Sequence, residues 1–231
     1  MVYWTERDSE TISRATINGT IRQEILVNLT GLEDGELTLE FQERKIYWVR
    51  FMRNQRIERA NFDGSDQELL TTDVNYPRGI AVDGVNRKIF WKELWGVRSS
   101  DLNGHNRVNI AMSETARASC IFYYQGEFGD SQIIFTDSKK VKSVKPDGTN
   151  QTALFNHAST VVGHVIVYNA TIYFITSFVA DDPYGLGEIP LSNLSAVRVI
   201  ETFKGTPKDS SGFILNEPTK NIRDIYVHNI T

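Results

Sequence analysis

Residues 45–70 read KIYWVRFMRNQRIERANFDGSDQELL. Two bulky aromatics, Tyr47 and Trp48, stand side by side in a strand-like run. Successive side chains on a strand point to opposite faces, so a sheet with one wet face would leave one of the two in water. Both are buried only where both faces of the sheet are covered. After the pair come a polar gap, a second strand-like segment ending in Asp63-Gly64, and a short outer strand, QELL.

The unit recurs along the chain. Aromatic or apolar pairs appear in VYWTE, IYWVR, IFWKE, IIFTD and IYFIT, with second positions Trp4, Trp48, Trp91, Phe135 and Phe174, at steps of 44, 43, 44 and 39 residues. The following segments TISRATING, RIERANFDG, GVRSSDLNG and KVKSVKPDG end at Gly19, Gly64, Gly104 and Gly148. Asn-Gly and Asp-Gly fit two-residue hairpin turns that need positive φ. An apolar strand precedes each later pair, clearest in PRGIAVD. Four short strands every 40-odd residues predict an all-β propeller of four-stranded antiparallel blades, five of them visible. Blades stack radially, so Tyr47 is expected to face one neighbour and Trp48 the other. The fifth unit departs from the pattern with EIPLSNLSAV and a long KGTPKDSSG insertion.

Composition narrows the function. The chain has 231 residues, 40% hydrophobic and 23% charged, with net charge -4. That suits one large domain and offers no basic field for nucleic acid or acidic membranes. Its longest apolar runs, such as VVGHVIVY, are too short to span a bilayer, so no direct membrane insertion is expected. MVYWTERDSE is not a signal peptide, so a secreted form implies a longer or processed parent. Cys120 is single and reads as a small buried residue. Asn-X-Ser/Thr acceptors at Asn18, Asn28, Asn150, Asn169, Asn193 and Asn229 favour an extracellular glycoprotein.

Catalytic signals are sparse. His105, His157, His164 and His228 fall in different units without metal-ligand spacing. They read as ordinary surface or core residues before they read as triggers of acid release. No G-x-S-x-G elbow is present. The strands nearest the axis offer Glu36, Asp83, His164 and Asp224, which is thin for a metal cage. No cofactor is expected and the chain is read as a non-enzyme. The alternative is a propeller hydrolase of lactonase or esterase type with a metal in the central channel.

YWTE, the unit PRGIAVDGVNRKIFW with RVNI, and RIERANFDGSDQELL resemble the YWTD repeats of the low-density lipoprotein receptor family. That family includes receptor-related proteins, Wnt co-receptors, vitellogenin receptors and nidogen. The resemblance implies one YWTD-type propeller over residues 1–231, part of a larger extracellular or cell-surface protein, receptor or matrix, with adjacent EGF-like or ligand-binding modules. It implies binding of protein ligands on one face of the ring, in some members within an endocytic cycle. It also implies six blades, where five aromatic strands are visible here. A ring that lacks one blade and a ring that closes with five both stay open, and the abrupt start at Met1 favours the first. The closing NIRDIYVHN resembles the family's final strand, which completes the blade begun by the first residues. The fourth motif position reads Glu6, Arg50, Glu93, Asp137 and Thr176, so only one unit keeps Asp and the family's interblade hydrogen bonds are in question.

The ligand face expected from this layout is built by links from second to third strands and from fourth strands to the next blade. Arg50, Phe51, Met52, Arg53, Tyr76, Glu93, Trp95, Phe178, Asp181, Asp182 and Tyr184 fall there, as exposed-type residues with no core to enter. Aromatic and Arg side chains at such a rim are what protein hot spots use. The competing expectation is that Phe51, Trp95 and Phe178 plug the channel mouth. Asn18, Asn150, Asn169 and Asn193 map to the opposite face, and Asn28 to the ligand side.

Overall fold

The computed structural model describes residues 1–32, 37–52, 54–113, 120–126, 131–156, 161–177, 184–193 and 196–203. They form five antiparallel sheets and, among the described residues, no helix. Blade 1 holds β1 (Val2–Glu6), β2 (Thr11–Ala15) and β3 (Arg22–Leu26). Blade 2 runs β4 (Leu37–Glu40), β5 (Lys45–Arg50), β6 (Arg56–Asn61) and β7 (Glu68–Thr71). Blade 3 runs β8 (Gly79–Asp83), β9 (Lys88–Glu93), β10 (Gly96–Asp101) and β11 (Val108–Met112). Blade 4 is β12 (Ile121–Tyr124), β13 (Gln132–Asp137), β14 (Lys140–Val144) and β15 (Thr152–Asn156). Blade 5 is β16 (Val161–Tyr168), β17 (Thr171–Ser177), β18 (Tyr184–Pro190) and β19 (Arg198–Phe203). Strands follow chain order within each blade, and β4, β8, β12 and β16 line up as the inner strands. The proposed final strand, with Asp224 and His228, lies outside the described residues.

The paired aromatics point as the strand period demands. Trp48 enters a core with Tyr3, Ile12 and Leu26 of blade 1. Tyr47 enters a different core with Ile80, Ile89, Trp91 and Leu102 of blade 3. Phe90 packs forward on Ile133 and Phe135 of blade 4, and Ile134 forward on Phe174 of blade 5. Each blade boundary is thus an apolar core filled from both sides, and each fully buried aromatic removes roughly 150–250 Å² from water. Cys120 joins the boundary between blades 4 and 5, where its Sγ donates to the Val165 carbonyl at 3.2 Å.

Two local devices repeat. The strand next to the outermost one carries a bulge against it in every blade, at Ile12/Ser13, Ile57/Glu58, Val97/Arg98, Val141/Lys142 and Leu186/Gly187. A bulge adds local twist, which turns the outer strand away from its neighbour. The glycine turns are also regular, but they are not the two-residue turns expected. Gly64 N donates to Asn61 O and Asn61 N to Ser65 O, closing a three-residue loop, and Asp101, Gly104 and His105 do the same. Gly64 at φ 87° supplies the left-handed residue of that loop.

These turns also lock the blades together. A Cβ on Gly64 would lie 2.0 Å from the Ile25 carbonyl of blade 1, and one on Gly104 2.6 Å from the Leu70 carbonyl of blade 2. Arg14 of blade 1 donates to Phe62 O at 2.9 Å, and Arg59 of blade 2 to Leu102 O at 2.9 Å. Blade 1 presents the matching residues without such a neighbour among the described residues. Gly19 meets nothing within 4 Å, and Ile17, in the place of Leu102, is 85% exposed.

Candidate protein-binding face

The loop after β5, the link from β7 to β8 and the turn after β9 meet at one end of blades 2 and 3. Backbone hydrogen bonds fix them. Phe51 N donates to Gly31 O at 3.1 Å, Arg78 N to Lys92 O at 3.0 Å, Leu94 N to Asn75 O at 3.1 Å and Ser113 N to Trp95 O at 2.8 Å. Tyr76 N donates to Gln55 Oε1 at 2.9 Å with Tyr76 at φ 50°, in the left-handed region. The Phe51 and Tyr76 rings lie 5.7 Å apart at 60°, and the Arg78 guanidinium stacks 4.0 Å from the Phe51 centroid. Met52 is 48% exposed, Tyr76 44% and Trp95 52%, and these apolar side chains of three joined loops of blades 2 and 3 are together termed the ridge.

Not every expected rim residue reaches solvent. Arg50, Phe51 and Glu93 are buried, which corrects the expectation that they have no core to enter. The reason is that β5 continues through Arg50 and β9 through Glu93, so both stay inside a blade boundary. Phe51 lies beneath Tyr76 and Arg78. Arg53, Phe178, Asp181 and Asp182 lie outside the described residues, and Tyr184 opens β18.

Buried Arg50 and Glu93 belong to a charge system that linear reading missed. In blade 3, Trp91 Nε1 donates to Glu93 Oε1 at 2.7 Å, and Arg98, across the strand pair from Trp91, reaches the same oxygen at 3.4 Å. In blade 2 the charges are exchanged. Trp48 Nε1 donates at 3.2 Å to Glu58, its cross-strand partner, and Arg50 Nε donates to the same carboxylate oxygen at 2.6 Å. In blade 4, Asp137 accepts from Lys142, the cross-strand partner of Phe135, at 2.7 Å. In blade 1, Glu6 accepts from Trp4 Nε1 at 2.9 Å. Four blades therefore keep an acid beside the second aromatic, on one of two adjacent strands. The signal was available in the sequence as opposite charges at Arg50/Glu58, Glu93/Arg98 and Asp137/Lys142, once the register was known.

Lys92 is the unusual charge. It is fully buried at the boundary with blade 4, and its Nζ donates to Glu93 O at 2.5 Å. Burial pushes its ammonium down to about 8, with nearby Asp137 and Glu93 only partly offsetting it. Arg98 beside Asp73 holds that carboxyl below its ordinary value. Of the residues weighed for a metal cage, Asp83 accepts from Asn86 N at 2.9 Å and Asn86 Nδ2 at 2.8 Å, capping the turn after β8. Glu36 and Asp224 lie outside the described residues. Among the described residues no three His, Cys, Asp or Glu side chains cluster as metal ligands.

No protein-family model matches the chain. Curated relatives do. Protein cueball of Drosophila simulans is 30% identical over 116 residues, 46% of this chain and 18% of its own length. Low-density lipoprotein receptor-related protein 5 of Mus musculus is 34% identical over 98 residues, 41% of this chain and 6% of its own. Protein cueball of Aedes aegypti is 24% identical over 186 residues, 70% of this chain and 28% of that protein. The chain therefore spans less than a third of these relatives. Among solved structures, a nidogen/laminin complex superposes with a TM-score of 0.67 at 18% identity, covering 89% of this chain and 80% of that one.

The chain is a β-propeller, similar in part of its sequence to a low-density lipoprotein receptor-related protein and in fold to the nidogen/laminin complex structure.

A gluconolactonase from Xanthomonas campestris superposes less well on this propeller, with a TM-score of 0.57 at 11% identity over 74% of the chain. That likeness is one of fold alone. The repeat units of this propeller differ from one another at the fourth motif position, where the exchanged pair of blade 2 preserves the acid beside the aromatic. Among the described residues it has no helix long and apolar enough to cross a membrane.

Proposed function

We propose that this propeller is an extracellular module that binds a protein segment across the ridge of Met52, Tyr76 and Trp95. The observation that carries the reading is the ridge itself. Three large apolar side chains are exposed together on loops that backbone hydrogen bonds hold rigid, while their neighbours Phe51 and Leu94 are fixed beneath or beside them. An exposed apolar patch with an adjacent guanidinium marks an interaction site. The solved nidogen relative is a complex with laminin, which supports a protein as the ligand class. Arg53, Phe178, Asp181, Asp182 and Tyr184 remain candidate contributors to the same face. Binding rather than catalysis is the reading supported by the receptor-related relative.

The module is one part of a larger receptor or matrix protein, beside EGF-like or ligand-binding modules, and carries glycans. Asn18, Asn150, Asn169 and Asn193 are exposed in turns at the end opposite the ridge, and Asn28 is exposed on the ridge side. Four acceptors there leave the ridge open to a protein.

The test is affinity capture from conditioned medium on the immobilised chain, followed by binding of the captured protein to Trp95→Ala and Tyr76→Ala. Each substitution should cost about 1–4 kcal/mol of binding with the melting temperature nearly unchanged. A captured protein that binds both variants as tightly as the original refutes this face.

A further inference from the structure

The ridge has one charged member. Arg78 sits between β7 and β8, its backbone tied to Lys92 O and its guanidinium carbon over the Phe51 ring, 4.0 Å from the centroid. Most described arginines pair with a carboxylate, as Arg50 does with Glu58 and Arg98 with Asp73. Arg78 has no such pair among the described residues, and its Nε is buried without a hydrogen-bond partner. The residue is nonetheless partly exposed, two positions from Tyr76.

Among the described residues, its surroundings do not supply the missing anion. The nearby Glu93 carboxylate is engaged by Trp91 and Arg98. Glu58 is engaged by Trp48, Arg50 and Arg56. Behind Arg78 lies the buried ammonium of Lys92, which its positive charge helps to depress. The local balance is positive, in a place where screening is poor. A guanidinium stacked on a ring is held planar and pre-oriented, with its outer N–H groups set to receive a carboxylate as a fork.

Taking the ridge as a protein-binding face, we propose that Arg78 is its anion-recognising element. A carboxylate of the bound segment, from Asp or Glu, docks on the Arg78 guanidinium while a neighbouring apolar side chain of that segment rests on Tyr76 and Trp95. The partner is thus a polypeptide with an acidic residue beside an apolar one.

A random peptide library displayed on phage and panned on the immobilised 231-residue chain tests this directly. Selected peptides should be enriched in Asp or Glu adjacent to an apolar residue. A synthetic selected peptide should lose tenfold or more in affinity on Arg78→Met and on Trp95→Ala, and less on Arg78→Lys. The same peptide with its acid changed to the amide should lose as much on the unaltered protein, a result that does not depend on any variant folding. Peptides that need Trp95 but show no acid preference, or that bind Arg78→Met equally well, overturn the role of Arg78 and leave the face standing. Peptides indifferent to Trp95 and Tyr76, or no selection above an uncoated surface, overturn the face itself.

Discussion

Trp48 and Glu58 stand opposite one another on β5 and β6, and the indole Nε1 donates to Glu58 Oε2 at 3.2 Å. The same oxygen accepts from Arg50 Nε at 2.6 Å, and all three side chains are buried. In blade 3 the acid is at the position of Arg50 and the arginine at the position of Glu58. Blades 2 and 3 thus keep an acid beside the second aromatic and draw it from either of two adjacent strands.

The exchange can be made in the laboratory. Glu58→Gln leaves the Arg50 guanidinium buried without its counter-charge and should destabilise the chain by about 3–5 kcal/mol. The double variant Arg50→Glu, Glu58→Arg reproduces the arrangement of blade 3 and should recover most of the loss that Arg50→Glu alone causes. Urea denaturation of the four proteins checks this. A double variant less stable than both singles contradicts the account.

Lys92 predicts a pH dependence of defined sign. Its folded value of about 8 lies below its ordinary 10.5, so between those values the unfolded chain binds more protons. Stability then rises with pH through this window, by roughly 1.4 kcal/mol per unit from this group. Below pH 8 the lysine is charged in both states and its desolvation weighs on the fold. Lys92→Met should accordingly be more stable than the original at pH 7, with the difference shrinking toward pH 10. A difference that grows with pH, measured by urea denaturation, contradicts it.

Gly64 and Gly19 both sit in hairpin loops at positive φ, 87° and 73°, but only Gly64 has a close neighbour. Gly64→Ala forces a Cβ to 2.0 Å from the Ile25 carbonyl, whereas Gly19→Ala meets nothing within 4 Å. Gly19→Ala should cost about 1 kcal/mol of backbone strain, and Gly64→Ala clearly more. Ile17→Asp should be nearly neutral at 85% exposure while Leu102→Asp is severe. If a further blade covers the blade 1 face in a longer form of the protein, the Ile17 and Gly19 variants become costly there. Thermal melts of the variants in both settings decide it.

Glycopeptide mapping of protein secreted from eukaryotic cells should find glycan at Asn18, Asn150, Asn169 and Asn193. These asparagines are exposed in the turns of one end. Protein that passes the secretory route bare at all of them contradicts the extracellular reading.

The sequence carried the blade and hid the boundary. Tyr47 and Trp48 announced a sheet covered on both faces, and they do face blades 3 and 1 respectively. Five positive-φ glycines, among them Gly64 and Gly104, sit in turns. The length of those turns was misread, because Asn61 pairs with Ser65 rather than closing on two residues. The face was legible at Met52, Tyr76 and Trp95, which counting from the aromatic pair puts past the strand ends. Arg50 and Glu93 were misplaced, since a strand's last residue is decided by its neighbouring blade and not by its own period. Arg78 is not legible as a site residue in the sequence, because its role depends on which carboxylates are already paired, a property of three dimensions.

The most direct test of the account is hydrogen exchange on the propeller with its captured protein ligand bound. Added protection should fall in residues 51–55, 72–78 and 94–98, the segments that carry the ridge. Protection confined to the turns at 16–21, 61–66 and 145–150, with the ridge exchanging as in the free chain, would place the ligand on the other end and contradict it.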